Sequence, residues 1–404
     1  MMTPHRPEPS IASQEAGFPF DTGERIQIIF GVGVVERIGA LASQLPAKRV
    51  LLVTDPGLVK AGHAGRVRDL LQASQLVVTL HDQVHENPTT ADVDRAVAIA
   101  REAKVDAIVG LGGGSSIDTA KGCNFILTNG GRMQDYWGVG KARHPMLPLI
   151  AIPTTAGTGS ECQSFALIAD EITHQKMACG DPKAMARIAL LDPSLTVSMP
   201  RRVTACTGVD ALAHALETSV TKEKNSLSWK YSKEAFVRCF KHFALTLRDP
   251  MNMQARGQVM LGAALAGLAI ENSMLGAAHS AANPLTAHFG VIHGEAVGLM
   301  LPAVLRYNSQ DAASAQAYAE LAVAAGISRA DASVPEAVEA LIQQICQTLD
   351  EAGLAPSLAD AGVPFEALPM LAEEAAQQWT AKFNPRPVQS EDFQALYHQA
   401  WQRR

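Results

Sequence analysis

The stretch LGAAHSAANPLTAHFGVIHGEAVGLMLP, residues 275–302, carries His279 and His293 in a sequence of mostly small and apolar residues. His279 and His293 lie fourteen residues apart in it. Upstream, TGVDALAHALE places Asp210 and His214 four residues apart, a spacing that puts two side chains on one face of a helix. One carboxylate and three imidazoles suit a divalent first-row metal such as Fe(II) or Zn(II). These four residues are therefore candidate metal ligands.

The histidines and the neighbouring polar residues can also be explained by structural roles that involve no metal or substrate. A lone histidine on an apolar helix is usually a core residue, and spacing alone leaves the ligand set open. His288 has no partner in the pattern and is interpreted as structural or surface. Asn283, four residues after His279, is interpreted as a polar contact in the site or a satisfied buried amide. Glu217, one turn after His214, either supports a metal-bound histidine or lies on the surface, and we favour the surface.

Length and composition favour a two-domain globular protein. The chain has 404 residues, 47% of them hydrophobic, and a formal net charge of −6. No basic stripe indicates a nucleic-acid partner. The six cysteines are scattered without a CxxC pair, which favours reduced thiols over a disulfide framework.

The N-terminal residues and the longest apolar run predict neither a secretory signal nor a membrane span. Residues 1–24 contain no apolar run of the secretory type and are predicted to be a mobile tail. The longest apolar run, near Met260–Ile270, is too short to span a bilayer. These features predict a cytoplasmic protein without a membrane partner.

Strand and helix patterns alternate through the first half of the chain, which predicts a parallel sheet covered on both faces. One helix is predicted to end near Ala73, and a second to run from its N-cap Thr90 to Lys104. A third is predicted over SSIDTAKGCNFIL (115–127). The predicted strands are RIQIIFG (25–31), RVLLVT (49–54), VVTLHD (77–82), VDAIVGLGG (105–113) and LPLIAIPTT (147–155).

The second half reads as helices. After Met199-Pro200 the strand signals fade, which predicts an α/β domain over residues 25–200 and an all-α domain over 201–404, with a ligand cleft between them. MLGAALAGLAIENSMLGAAHSAA (260–282) is typical of a central, closely packed helix. NPLTAHFGVIHG (283–294) is predicted to break it, so that His293 begins the next helix.

Two loops and one carboxylate suggest a nucleotide site. Gly110–Ser115 (GLGGGS) joins a strand to a helix, as in a phosphate cradle, although a tight turn explains it equally well and it departs from the usual Rossmann fingerprint. Asp55 directly follows a strand, where it accepts from ribose hydroxyls or simply forms a turn. As a ribose ligand it predicts NAD in preference to NADP. Residues 153–161 (PTTAGTGSE) are dense in hydroxyls, which suits cofactor contacts or a plain loop.

Taken together, these motifs resemble the iron-containing (group III) alcohol dehydrogenases from about Arg25 to the C-terminus. The resemblance rests on IIFGVG, VTDPGL, ENPT, GGGSSIDTAK, PTTAGTGSE, LLDPSLTVSMP, TGVDALAHALE, the two-histidine stretch, LPAVLRYN and NPRPV, in this order. It implies a Rossmann-like, dehydroquinate-synthase-like α/β domain with a parallel sheet, followed by an all-α metal domain.

The resemblance also implies site residues. The metal ligands are Asp210, His214, His279 and His293, with Fe²⁺ as the metal and Zn²⁺ or another divalent ion as the alternative. The catalytic positions are Asn283 and His293. The cofactor-binding positions, for NAD, are Asp55, Asn87, Gly113, Gly114, Ser115, Asp118, Thr154, Thr155, Thr158 and Lys176.

Two positions depart from the family pattern. Many members carry histidine where this chain has Asn283, and that histidine is thought to relay the alcohol proton. Because asparagine does not titrate, the relay here is expected to run through water or the ribose hydroxyls. Ala303 also stands where histidine is common.

The implied activity is NAD-linked, metal-dependent interconversion of an alcohol with its aldehyde or ketone, in a homo-oligomer that is a dimer or larger. A hydroxyacid–oxoacid transhydrogenase or a polyol dehydrogenase on the same scaffold is the alternative. A non-catalytic nucleotide-binding protein is a more distant one, which the four-ligand set disfavours.

Overall fold

The computed structural model describes residues 26–173 and 175–402. Its chain divides into two compact units. Residues 26–154 and 160–198 form the first unit, and Thr155–Gly159 with residues 199–402 form the second. The predicted tail, residues 1–24, lies outside the described residues.

A parallel six-stranded sheet forms the core of the first unit. The strands, in chain order, are β1 (Gln27–Phe30), β2 (Arg49–Val53), β3 (Val77–His81), β4 (Ala107–Gly112), β5 (Gly138–Val139), β6 (Leu149–Pro153), β7 (Phe165–Ala169), β8 (Lys176–Gly180) and β9 (Ile188–Leu191). The large sheet has the order β1-β9-β6-β4-β2-β3, with every pair parallel. Its central strands β4 and β6 are buried throughout, as expected of a sheet covered on both faces. The remaining strands form a small sheet, β5-β8-β7.

Five helices accompany these strands in the described part of the first unit. They are α1 (Ile38–Ala42), α2 (Pro56–Lys60), α3 (His63–Ala73), α4 (Thr90–Glu102) and α5 (Gly114–Asn129). The prediction of Thr90 as N-cap of α4 is wrong. Thr89 caps the helix, because its extended backbone places it in a capping box with Asp92.

The strand order creates a crevice between β2 and β4. From β2 the chain moves outward to β3 and then returns to β4 on the other side of β2. Parallel α/β sheets bind ligands beyond the carboxyl ends of their strands at such a reversal. Asp55 follows β2 and Gly113 follows β4, so the two predicted cofactor residues flank this point.

Helices make up the regular structure described in residues 199–402, apart from short 3₁₀ turns. The α-helices are α6 (Arg201–Thr218), α7 (Ser226–Arg248), α8 (Met253–Ser273), α9 (Ala277–Phe289), α10 (His293–Asn308), α11 (Ala312–Ala325), α12 (Val334–Ala352), α13 (Leu368–Gln377) and α14 (Ser390–Trp401). The parallel sheet followed by a helical unit confirms the predicted fold class.

The predicted central helix ends earlier than the sequence suggested. α8 stops at Ser273, and Met274 takes a left-handed φ of 65°. The next helix, α9, continues through Asn283 and keeps Pro284 inside it, so the predicted break at residue 283 is wrong. α10 begins at His293, as predicted.

No single helix in the described ranges is long and apolar enough to cross a membrane. Only α8 and α9 taken together pass by length and composition, and they meet at a bend of 107°.

Candidate functional site

Three imidazoles, from three helices of the second unit, converge on one carboxylate oxygen of Asp210. Asp210 and His214 lie one turn apart on α6, His279 lies near the start of α9, and His293 begins α10. Asp210 Oδ1 is 3.4 Å from His214 Nε2 and 3.3 Å from His279 Nε2. His293 Nε2 is 3.9 Å from the same oxygen. The structure thus brings together all four residues that the sequence marked as candidate ligands.

Asp210, His279 and His293 lie close enough together to form a possible site for one metal ion. Four donors at about 2.1 Å from a tetrahedral ion lie about 3.4 Å from one another. The donor atoms of Asp210, His279 and His293 all lie within 4.8 Å of one another, and His214 Nε2 approaches the same Asp210 oxygen. One oxygen and three nitrogens, without a thiolate, suit Fe(II) or Zn(II). The residues present therefore fit the metal that the sequence predicts.

The protonation states of Asp210 and His214 also favour a cation. Burial alone would raise the pKa of Asp210, but the neighbouring imidazoles of His214 and His279 hold it well below its ordinary value. The carboxylate is therefore ionised. Burial lowers the pKa of His214, so its imidazole is neutral, the form that binds metals.

A buried carboxylate orients His279. Glu217 lies on α6 and is buried, so its interpretation as a surface residue is wrong. Its Oε2 pairs with His279 Nδ1, and its Oε1 accepts from the backbone N–H of Ala278 at 2.7 Å. Although burial alone would lower the pKa of His279, Glu217 and Asp210 raise it to about 9. Glu217 therefore fixes the ring with Nε2 towards Asp210, as carboxylates behind metal-bound histidines do.

Glu217→Gln is expected to weaken metal binding about 10- to 100-fold. A glutamine has one acceptor oxygen, so it can satisfy either His279 or the Ala278 N–H, while its amide group opposes the other donor. Titration of metal-stripped protein with Zn²⁺ or Fe²⁺ measures the effect.

The matched control is Glu374→Gln, which alters another carboxylate–histidine pair of the same unit. Glu374 contacts the exposed His288 at 2.8 Å, which confirms the surface interpretation of His288. Metal affinity should not change in this variant. Equal affinity in both variants would contradict the role given to Glu217.

His293 reaches the site because α10 starts in close contact with α6. A Cβ on Gly294 would lie 2.0 Å from the carbonyl oxygen of Cys206. Only glycine allows this approach of two backbones. Glu295, in the same turn, pairs with Arg202 and accepts from the N–H of Ala355 at 2.9 Å. These contacts fix the end of α10 that carries His293.

Asn283 makes a contact that the sequence did not predict. It lies on α9 one turn after His279 and is half-buried. Its Nδ2 donates to Oε1 of Gln378 at 3.0 Å. Two amides, neither of which titrates, therefore occupy the position where the resemblance implies a proton-relaying histidine.

Three predicted cofactor segments follow adjacent strands of the first unit. Asp55 follows β2, caps α2 and accepts from the N–H of Leu58 at 3.1 Å. Gly113 is the N-cap of α5, so Gly114 and Ser115 lie in the first turn of that helix. Free N–H groups at such a helix start bind phosphate.

The other predicted cofactor residues lie in different settings. Thr154 is buried after β6 and donates its N–H to the carbonyl oxygen of Gly112 at 3.0 Å. Asn87 is exposed, with a left-handed φ of 52°. Lys176 begins β8. Thr155 and Thr158 belong to the second unit, in the segment Thr155–Gly159.

Asp118 is buried behind the glycine-rich loop and bonded within the protein. Its oxygens accept from Ser160 Oγ and from the N–H of Leu167. Burial raises its pKa, and Lys121, three residues further along α5, opposes that rise. Lys121 Nζ lies 3.7 Å from Asp118 Oδ1 and donates to the carbonyl oxygens of Ser160 and Phe165 at 2.6 and 2.8 Å.

The sequence analysis did not find Lys121, and it assigned Glu217 to the surface. The spacing of three between Asp118 and Lys121 is the signal that could have found Lys121, because it puts two opposite charges on one face of a helix. For Glu217, the spacing of three from His214 was present, but its partner on α9 is 62 residues away.

The first unit has a parallel sheet with a glycine-rich loop at its chain reversal, and the second has a buried cluster of one aspartate and three histidines. This combination suits a dehydrogenase that uses a dinucleotide and a metal ion. Comparison with known proteins agrees. The family model for iron-containing alcohol dehydrogenase matches residues 26–193, and the model for the C-terminal part of that family matches residues 204–401. The chain belongs to the iron-containing alcohol dehydrogenase family, and the resemblance seen in the sequence is confirmed.

Individual relatives cover almost the whole chain. Alcohol dehydrogenase 4 of Schizosaccharomyces pombe is 32% identical over 92% of this chain and 87% of its own. The crystal structure of a 1,3-propanediol oxidoreductase superposes with a TM-score of 0.89 at 30% identity, over 92% of this chain and 97% of the other. The structure of a sulfoacetaldehyde reductase from Bifidobacterium kashiwanohense in complex with NAD⁺ superposes with a TM-score of 0.84 at 27% identity, over 95% of this chain and 99% of the other.

Proposed function

We propose that this enzyme is an NAD-linked, metal-dependent dehydrogenase that interconverts an alcohol and its aldehyde or ketone. The convergence of three imidazoles on Asp210 Oδ1 carries the proposal, because a neutral His214 and an ionised Asp210 in one buried cluster suit a divalent cation. The family membership and the reductases among its relatives support the reaction type. Residues 25–200 bind the dinucleotide in this proposal, and residues 201–404 hold the metal.

The proposed ligands are Asp210, His214, His279 and His293, and Fe²⁺ is the proposed metal, with Zn²⁺ as the alternative. When bound there, such a metal acts as a Lewis acid that polarises the oxygen of the alcohol or carbonyl group. The protein keeps this site ready by burying Asp210 as a carboxylate and by turning the Nε2 atoms of His214 and His279 towards it. Any proton on His279 must leave before its Nε2 binds a cation.

When bound, NAD would supply the acceptor for the hydride that leaves the alcohol carbon as the hydroxyl proton is lost, and NADH would supply the hydride in reduction. We assign the pyrophosphate to the start of α5 at Gly113–Ser115 and the adenosine ribose to Asp55, which is fixed as the cap of α2. A carboxylate there repels a 2′-phosphate, so NAD is preferred to NADP. Contacts from Asn87, Asp118, Thr154, Thr155, Thr158 and Lys176 complete the proposed cofactor set.

The proton of the alcohol hydroxyl is not transferred to the side chain at position 283, because asparagine does not titrate. Asn283, paired with Gln378, orients substrate or water by hydrogen bonds and does not accept the proton itself. Water or the ribose hydroxyls pass it to solvent. The substrate is a small alcohol or carbonyl compound. A homo-oligomer of two or more chains and a cytoplasmic location stay predictions.

Metal-stripped protein is expected to form no NADH from alcohols, and Fe²⁺ or Zn²⁺ is expected to restore the activity. The assay covers short primary alcohols, diols and hydroxyacids, each with NAD and with NADP. NAD should give the lower KM. A lower KM for NADP would contradict the assignment of Asp55 without affecting the metal site.

Two other outcomes would redirect the proposal. Full activity in stripped protein would contradict metal dependence. Exchange of hydride between a hydroxyacid and an oxoacid, without net release of NADH, would identify the transhydrogenase alternative.

A further inference from the structure

The segment Thr155–Gly159, which we name the strap, contacts the metal cluster through its backbone. The carbonyl oxygen of Gly157 lies 3.3 Å from His214 Nδ1. The other ring nitrogen of His214, Nε2, faces Asp210. Because a carbonyl can only accept, the Nδ1 atom must carry the proton in this contact, which leaves Nε2 with its lone pair for a metal.

The strap lies against two helices of its own unit at distances that only glycine allows. A Cβ on Gly157 would lie 2.6 Å from Cβ and 2.8 Å from the carbonyl oxygen of Thr207 on α6. Gly159 has a left-handed φ of 62°, and a Cβ there would lie 2.7 Å from Cα of Gly267 on α8. The strap backbone is therefore confined between fixed backbone atoms, and its carbonyl group has little freedom to move.

The two buried histidines of the cluster are oriented in different ways. His279 has the carboxylate of Glu217 behind its Nδ1, whereas His214 has the carbonyl group of Gly157. The group that orients His279 is a side chain, whereas the group that orients His214 is a backbone carbonyl. The position of that carbonyl depends on the path of the strap. The orientation of His214 therefore depends on the packing of the strap.

We propose that the strap is a positioning element of the metal site, in which Gly157 fixes the tautomer and orientation of His214 while Gly159 and Gly267 hold the strap in place. This inference rests on the proposed metal site and adds residues that are not among the proposed metal ligands. Outer contacts of this kind change metal affinity about 10- to 100-fold in other proteins.

Gly267→Ala tests the inference. The new Cβ would lie 2.3 Å from the carbonyl oxygen of Gly159 and 2.9 Å from its Cα, so the strap must shift. Metal-stripped protein is titrated with Co²⁺ and Zn²⁺ and its affinities are compared with those of the wild type. We expect affinity to fall about 10-fold or more. The visible spectrum of bound Co²⁺ should also change, because the ligand field depends on the orientation of His214.

Gly262→Ala is the matched control. It makes the same substitution on the same helix, and its Cβ would lie 2.5 Å from Sγ of Cys239 on α7, away from the strap. Affinity and Co²⁺ spectrum should match the wild type in this variant, even if its thermal stability falls. Equal weakening in both variants would mean that any disturbance of α8 loosens the site, and would overturn the inference.

A measurement on the unmodified chain covers the case in which Gly267→Ala does not fold. In Zn²⁺-loaded protein with ¹⁵N-labelled histidine, long-range ¹H–¹⁵N correlations distinguish the two tautomers, and His214→Asn assigns the signal by its loss. We expect His214 protonated at Nδ1 and metal-bound at Nε2. The opposite tautomer, or wild-type affinity in Gly267→Ala, would overturn the inference alone. Failure of the wild type to bind any divalent ion would overturn the proposed metal site and the strap's role with it.

Discussion

Asp210→Asn is expected to lower kcat by at least about 10³-fold and to abolish tight metal binding. The variant keeps the shape of the side chain but removes the charge that three imidazoles surround. A bound metal contributes several kcal/mol of charge stabilisation to reactions at an oxygen, and about 4 kcal/mol corresponds to a factor of about 10³. Steady-state kinetics and metal content of the purified variant measure the two effects.

Dinucleotide binding separates this effect from unfolding. The proposed nucleotide residues Asp55 and Gly113 lie in the first unit, which does not contain Asp210. The affinity for NADH, followed by its fluorescence, should therefore stay at the wild-type level. Wild-type kcat in Asp210→Asn would contradict the proposed ligand set, whereas loss of NADH binding would indicate a disturbed fold.

The sheet of the first unit was largely predictable because its strands carry strong local signals. β2, β4 and β6 are short apolar runs bounded by turn residues, and they lie where the sequence placed them. The strands β5, β7, β8 and β9 were missed, and β9 belongs to the large sheet. β5 has only two residues and pairs with β8, about forty residues further along the chain, whereas β7 and β8 form a local antiparallel pair.

The helix break before α9 was placed wrongly for a related reason. The sequence offered Asn283-Pro284 as the break, yet α9 keeps Pro284 in its interior. The true break is at Met274, whose left-handed φ no local propensity favours. The surrounding helices, and not the identity of residue 274, must therefore impose this turn.

The metal cluster was predictable in its members but not in its support. A spacing of four put Asp210 and His214 on one face of a helix, and the structure confirms that geometry. Glu217 was assigned to the surface and Gly157 was not singled out, because each contacts a histidine that is about sixty residues away in the chain. Ligand types follow from local chemistry, whereas the groups that orient them depend on how distant helices pack.

Lys121→Met is expected to lower the stability of the first unit by about 3–5 kcal/mol, the usual cost of breaking a fully buried ion pair. Lys121 is completely buried, and its ammonium group donates to the carbonyl oxygens of Ser160 and Phe165 and lies near Asp118. Methionine fills a similar volume but leaves the two carbonyl oxygens without this donor and Asp118 without its neighbouring cation. Hydrogen exchange of the α5 amides and chemical denaturation measure the loss.

Lys183, whose partly exposed side chain pairs with the buried Asp181, supplies the control for this prediction. Lys183 lies in the same unit and also contacts a carboxylate and a carbonyl oxygen, at 3.2 and 3.1 Å, but its side chain is 42% exposed. Because water can replace its contacts, Lys183→Met should cost less than about 1 kcal/mol. If both variants lost the same stability, burial would not be what makes Lys121 important. A large loss of stability in Lys121→Met alone would instead show that its ammonium group holds α5 against the loop at Ser160, the residue that follows the strap.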